Sequence, residues 1–79
     1  MMLRIGSAGS QVRDLQQLLN VAVPLMPLLA VDGIFGPKTN QRVITFQKQK
    51  ALMADGIAGP MTGKSLVGSA IQILNPFFN

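Results

Sequence analysis

Asp32 and Asp55 are the residues whose setting could do chemistry, because each opens the phrase Asp-Gly-Ile-x-Gly-Pro-x-Thr, over Asp32–Thr39 and Asp55–Thr62. Two carboxylates in matching frames are what glycoside hydrolysis requires, one as acid and the other as base or nucleophile. The remaining inventory speaks against that use. The chain has no His, Cys, Glu or Tyr, so apart from Asp14 only hydroxyls are left to assist. An Asp that returns each time with the same turn signature has a local role: its carboxylate accepts backbone N–H groups two residues on, while the following Gly takes a positive φ. Gly36-Pro37-Lys38-Thr39 is not a phosphate loop either, since Pro37 removes an N–H that a phosphate cradle would use. No catalytic residue, metal ligand or cofactor site is assigned.

The repeat organises the elements around it. Extended back to Leu29 and Leu52, the two copies share seven identities over eleven aligned positions, Leu29–Thr39 on Leu52–Thr62. In each copy Gly36 or Gly59 suits a helix N-cap, Pro37 or Pro60 the first helical position, and Thr39 or Thr62 the open first turn. Ile34 and Phe35 are expected to point an anchor inward. A first helix is predicted over 10–22, capped by Ser10 and carrying Val12, Leu15, Leu18, Leu19 and Ala22 at helical spacing. Pro24 forbids its continuation. A second helix is predicted over 37–50 with Val43, Ile44 and Phe46 inward and Lys38, Arg42 and Lys48 facing water. A third, over 60–74, is so apolar through Leu66, Val67, Ala70, Ile71, Ile73 and Leu74 that it is either the most buried of the three or packs on a partner. Val12-x-x-Leu15-Gln16 recurs as Val43-x-x-Phe46-Gln47, and a buried Gln amide bonded to an adjacent turn explains both Gln residues structurally. The apolar stretch from Val23 to Val31 must either cover the core, the expected case, or stand exposed as a sticky rim, and Phe77-Phe78 form a lid or an exposed hook.

A chain of 79 residues makes one small domain, 1–79, that buries about 60 to 65 % of its unfolded surface. Seven Lys and Arg against three Asp give a net charge of +4, a field that favours anionic polymers. Nucleic acid is not the expected partner, because no aromatic residue interleaves with the basic ones. The longest apolar run, Val21 to Val31, is broken by Pro24 and Pro27 and too short for a membrane span, and no secretory signal is visible, so a soluble domain is expected.

Taken together, Leu3-Arg4-x-Gly6-Ser7-x-Gly9-x-x-Val12-x-x-Leu15-Gln16-x-x-Leu19-Asn20, then Val31-Asp32-Gly33-x-Phe35-Gly36-Pro37-x-Thr39 with Val43-x-x-Phe46-Gln47, then Leu52-x-x-Asp55-Gly56-x-x-Gly59-Pro60-x-Thr62, resemble the short three-helix peptidoglycan-binding domain family. The match runs from residue 3 to about 68. Gly63 stands where that family usually shows Trp, and the stretch 21–31 is more apolar than its usual turn.

The resemblance implies an all-α, compact three-helix bundle with partial internal duplication, the two Asp-Gly-x-x-Gly-Pro turns being its signature. It implies a non-catalytic module that binds peptidoglycan or an anionic cell-wall polymer and targets an attached or partner cell-wall hydrolase, as in phage endolysins. Asp32, Phe35, Thr39, Arg42 and Gln47 are the expected ligand-binding residues, from their place at the first turn and its helix. Without a visible signal the expected location is the cell wall or periplasm, reached after lysis, by non-classical export or within a longer exported protein. The alternative is a protein–protein interaction module of the same fold, phage structural or secretion-associated, that has lost glycan binding and uses Phe77, Phe78, the third helix and the loop around Leu25 to Leu29.

Overall fold

The computed structural model describes residues 2–74, so Phe77 and Phe78, expected as lid or hook, lie outside the described residues. Among the described residues there are three helices: α1 Ser10–Ala22, α2 Pro37–Gln49 and α3 Pro60–Leu74. Among the described residues there is no β-strand, only isolated bridges. The core gathers Val12, Leu15, Leu19, Val43, Phe46 and Leu66 from the helices with Leu3, Val23, Leu29, Phe35 and Ala58 from the segments between them. Helix α1 is the hub, packing extensively on α3 and less so on α2.

Helix α1 starts one residue earlier in role than its sequence suggests. Gly9, not Ser10, is the N-cap, at φ 123°, and no side chain caps the helix. The cause is the first turn, which comes so close that Gly9 N–H donates to Gly33 O at 2.9 Å while Gly9 O accepts from Arg13 N–H. At α2 the expectation holds, with Gly36 as N-cap and Pro37 opening the helix.

The segment before α1 stitches the two turns together. Phe35 N–H donates to Ser7 O and Gly6 N–H to Phe35 O, whereas Leu3 and Ala58 exchange a reciprocal pair of backbone bonds at 2.8 and 3.1 Å. Phe35 and Ala58 occupy the same place in the two copies, and both are buried. Ile34, by contrast, is exposed, because neighbouring residues in extended backbone point to opposite sides and Phe35 has taken the core side.

Two apolar segments bury less than their composition suggests. Helix α3 buries Thr62, Leu66 and Ala70 but leaves Val67 46 %, Ile71 60 % and Ile73 47 % exposed, so it is not the most buried helix. A helix packed on one neighbour covers only one stripe of its surface, and the excess apolar residues of α3 lie beyond that stripe. In the stretch from Val23 to Val31 the buried residues are Val23 and Leu29, while Leu25, Met26, Leu28 and Val31 stand out. Asn20 holds Leu29 through both backbone groups, at 2.8 and 3.0 Å. Arg42, half-buried instead of facing water, donates to Val23 O at 3.1 Å and Pro27 O at 3.0 Å and so clasps the loop to α2.

Helix α2 ends in a Schellman motif: Leu52 N–H donates to Gln47 O and Ala51 N–H to Lys48 O, with Ala51 at φ 56°. A left-handed residue with a Cβ carries a cost that Gly would not. Ala51→Gly is therefore expected to stabilise the domain by about 0.5 to 1 kcal/mol, read as a rise of a few degrees in Tm by calorimetry. An unchanged or lowered Tm would show that the unfolded-state entropy of the new Gly outweighs the relief.

Candidate functional site

Each repeated turn is closed by a glutamine from the helix before it. Gln16, on α1, accepts from Gly33 N–H at 3.0 Å through Oε1, and its Nε2 donates to Asp32 Oδ1, Ile34 O and Thr39 Oγ1 at 3.0 to 3.1 Å. Gln47, on α2, repeats the set on Gly56, Asp55, Ile57 and Thr62 at 3.0 to 3.2 Å. The amide orientation is determined by the partners, since a carboxylate and a carbonyl can only accept and a backbone N–H can only donate. Both glutamines are 1 % exposed, and among the described residues no buried side-chain polar atom lacks a partner. In each turn the Asp Oδ1 also accepts from the N–H two residues on, Ile34 or Ile57, at 2.9 Å. Gly33 and Gly56 sit at φ 76° and 75°, and a Cβ on Gly56 would collide with the Asn40 amide.

These contacts hold both carboxylates below the ordinary aspartate range. For Asp32 the main cause is the bond from Ile34 N–H, followed by Gln16. For Asp55 it is Ile57 N–H, and partial desolvation acts against it more strongly than Gln47 assists. Both groups are charged at neutral pH, unlike the raised carboxylic acid that general-acid catalysis needs. They also line different clefts.

A cleft stands over each turn. The first, of about 320 Å³, is walled by Leu29, Asp32, Ile34, Lys38 and Thr39 over Gln16. It runs into a larger groove of about 600 Å³ between the loop and α2, where Lys38, Gln41, Arg42 and Thr45 face Leu25, Pro27 and Leu28. The two share Leu29, Ala30, Pro37 and Lys38, so they form one continuous channel along the start of α2. The second turn has the matching cleft, of about 390 Å³.

Of the residues expected to bind ligand, Asp32, Thr39 and Arg42 line this channel. Thr39 is buried at its floor, accepting from Gln16, and Arg42 reaches it while clasping the loop. Phe35 does not line the channel, because it is 1 % exposed in the core. Gln47 does not line it either: it serves the second turn, not the first, and lies under the cleft there. Lys38, expected to face water, also lines the channel, and so does Gln41, which was not singled out from the sequence. The signal for Lys38 was its place one residue after the helix-opening Pro37, on the rim of the turn.

The family model described as "Putative peptidoglycan binding domain" matches residues 8–66. A probable N-acetylmuramoyl-L-alanine amidase of Bacillus licheniformis is 41 % identical over 64 residues, which are 81 % of this chain and 18 % of the amidase. The chain thus spans about a fifth of the length of three of the curated relatives it matches. Among solved structures, the SleB N-terminal domain superimposes with a TM-score of 0.80 at 31 % identity, covering 89 % of this chain and 93 % of that one. A peptidoglycan-binding protein from Clostridioides difficile, in complex with glutamine hydroxamate, gives a TM-score of 0.77 at 36 % identity, covering 84 % of this chain and 40 % of that one.

Two outcomes are expected from the turns. Gln47→Leu leaves the buried Gly56 N–H and Thr62 hydroxyl without their amide partner, and a loss of about 2 to 4 kcal/mol in chemical denaturation is expected. The lowered aspartates contribute stability above the ordinary value near 3.8 and lose it as pH falls through their folded values. Stability should accordingly be flat from pH 7 to about 5 and decline below about 4, and Asp32→Asn should flatten that decline.

Proposed function

The chain belongs to the peptidoglycan-binding domain family, as a non-catalytic module of the kind that cell-wall amidases carry beside their catalytic part, and we propose that its ligand lies in the channel along the start of α2. The observation that carries this reading is the convergence of Asp32, Thr39, Lys38 and Arg42 on one continuous apolar-walled groove, the form in which proteins bind small polar ligands. Asp32 and the Thr39 region offer acceptors, Lys38 and Arg42 donors, and Leu25, Leu28 and Leu29 an apolar wall. Such a groove suits an uncharged or zwitterionic piece of wall glycan or stem peptide. The net charge of +4 adds a long-range attraction to anionic wall polymers. In this reading the module acts at the cell wall and holds a hydrolase there by raising its local concentration.

A second reading, an interaction module that kept the bundle and lost the glycan, is favoured by the exposed face of α3, where Val67, Ile71 and Ile73 stand uncovered.

Sedimentation with isolated sacculi tests the first reading. The domain should pellet in about 0.15 M salt and remain partly bound at 1 M, where charge alone is screened within about 3 Å. Lys38→Glu, an exposed change expected to alter stability by less than about 0.5 kcal/mol, should weaken retention at least fivefold or so. A folded domain that stays in the supernatant at both salts transfers the weight to the second reading.

A further inference from the structure

The internal duplication yields two clefts with one floor and different rims. Under both lies the same arrangement of Gln amide, Asp carboxylate and Thr hydroxyl. Around the first stand Ala30 and Lys38; the corresponding positions around the second are Met53 and Met61, joined by Met2 from the N-terminal segment. Leu52, Ile57 and Pro60 contribute to the walls of this cleft, and among the described residues Asp55 is the one charged side chain lining it. Met53 and Met61 are 80 % and 73 % exposed, so the rim is available and unbranched thioethers can settle against a ligand of irregular outline.

We propose that this second cleft is a binding site for a primary ammonium group on an aliphatic stem, as in a lysine-like side chain, with the ammonium on Asp55 and the stem between Met53 and Met61. Asp55 is exposed, and the recorded bonds to its carboxylate, from Ile57 N–H and Gln47 Nε2, both fall on Oδ1. Oδ2 takes no part in these two bonds and is the oxygen that the proposal assigns to the ammonium. The carboxylate is ionised at neutral pH, being held low by those same bonds. In the first cleft Lys38 supplies a cation of its own at the rim and would repel an incoming ammonium; in the second, Met61 removes that repulsion. The first turn of α3 sets a partial positive charge against the ligand, but a helix end carries only about half an elementary charge and its effect is weak when exposed, whereas Asp55 carries a full one. The net charge of +4 acts mainly beyond about 8 Å, where physiological salt screens it. The proposal does not depend on the wall-binding reading of the first channel, since it uses neither Lys38 nor Arg42.

The test is a titration of the domain, labelled with ¹³C at its methionine methyl groups, with N-acetyl-lysine methylamide in about 0.15 M salt. The Met53 and Met61 methyl signals should move saturably, while that of Met26, on the loop at the other turn, stays in place. N-acetyl-norleucine methylamide, which keeps the stem and lacks the ammonium, should move them at least about tenfold less well. Met61→Lys, which gives the second rim the cation of the first and leaves the Gln47 contacts alone, should weaken lysine binding by about tenfold or more. Asp55→Asn should abolish it, with circular dichroism used to verify that the helices persist. Equal response to the two compounds, survival of binding in Met61→Lys, or methionine signals that do not move would each overturn the proposal.

Discussion

The structure depends on a buried glutamine amide closing a turn from the inside. A turn carrying Asp, Gly and an extended residue exposes several backbone N–H and C=O groups at the point where it meets the core, and a buried polar group without a partner is costly. One primary amide meets the need because it offers acceptor and donor from a single side chain. Gln16 and Gln47 each bind the Gly N–H on one side and the Asp, carbonyl and Thr oxygens on the other. Through them each helix is tied to the start of the next, α1 to α2 and α2 to α3. This lets a chain of 79 residues with no cysteine hold three helices at set angles around a modest core.

The same device explains why two carboxylates in matching frames do no catalysis. Each Asp is committed to its own turn, bonded to the N–H two residues on and to the glutamine, and each is stabilised in its charged form. Repetition of the frame reproduces the floor of a cleft but says nothing of its rim. Lys38 and Met61 stand at equivalent places, as do Phe35 and Ala58, so the two halves keep one architecture and present different surfaces.

The apolar excess of the chain is resolved by geometry. With α1 as hub, α3 covers its own inner stripe and leaves Val67, Ile71 and Ile73 outside. The loop of 23–31 anchors at Val23 and Leu29, and Asn20 and Arg42 hold its backbone by hydrogen bonds, so its middle residues are free to wall a groove instead of filling the core.

The sequence by itself determined the elements and the turn chemistry, because these follow from local rules: Pro37 and Pro60 open helices, Gly33 and Gly56 carry the positive φ, and the repeated Val-x-x-apolar-Gln announces a buried amide beside each turn. Helix bounds came out within a residue for that reason. The lining of the channel was only half legible. Asp32, Thr39 and Arg42 do line the channel, but Phe35 and Gln47 are buried, since an aromatic or an amide near a turn reads the same whether it faces ligand or core. Only the tertiary structure decided that Gly9 rather than Ser10 caps α1, that Arg42 clasps a loop nineteen residues upstream in sequence at Val23, and which stripe of α3 is covered. Each of these depends on a contact between segments distant along the chain, where the partner, not the residue's own neighbours, sets the side chain's direction.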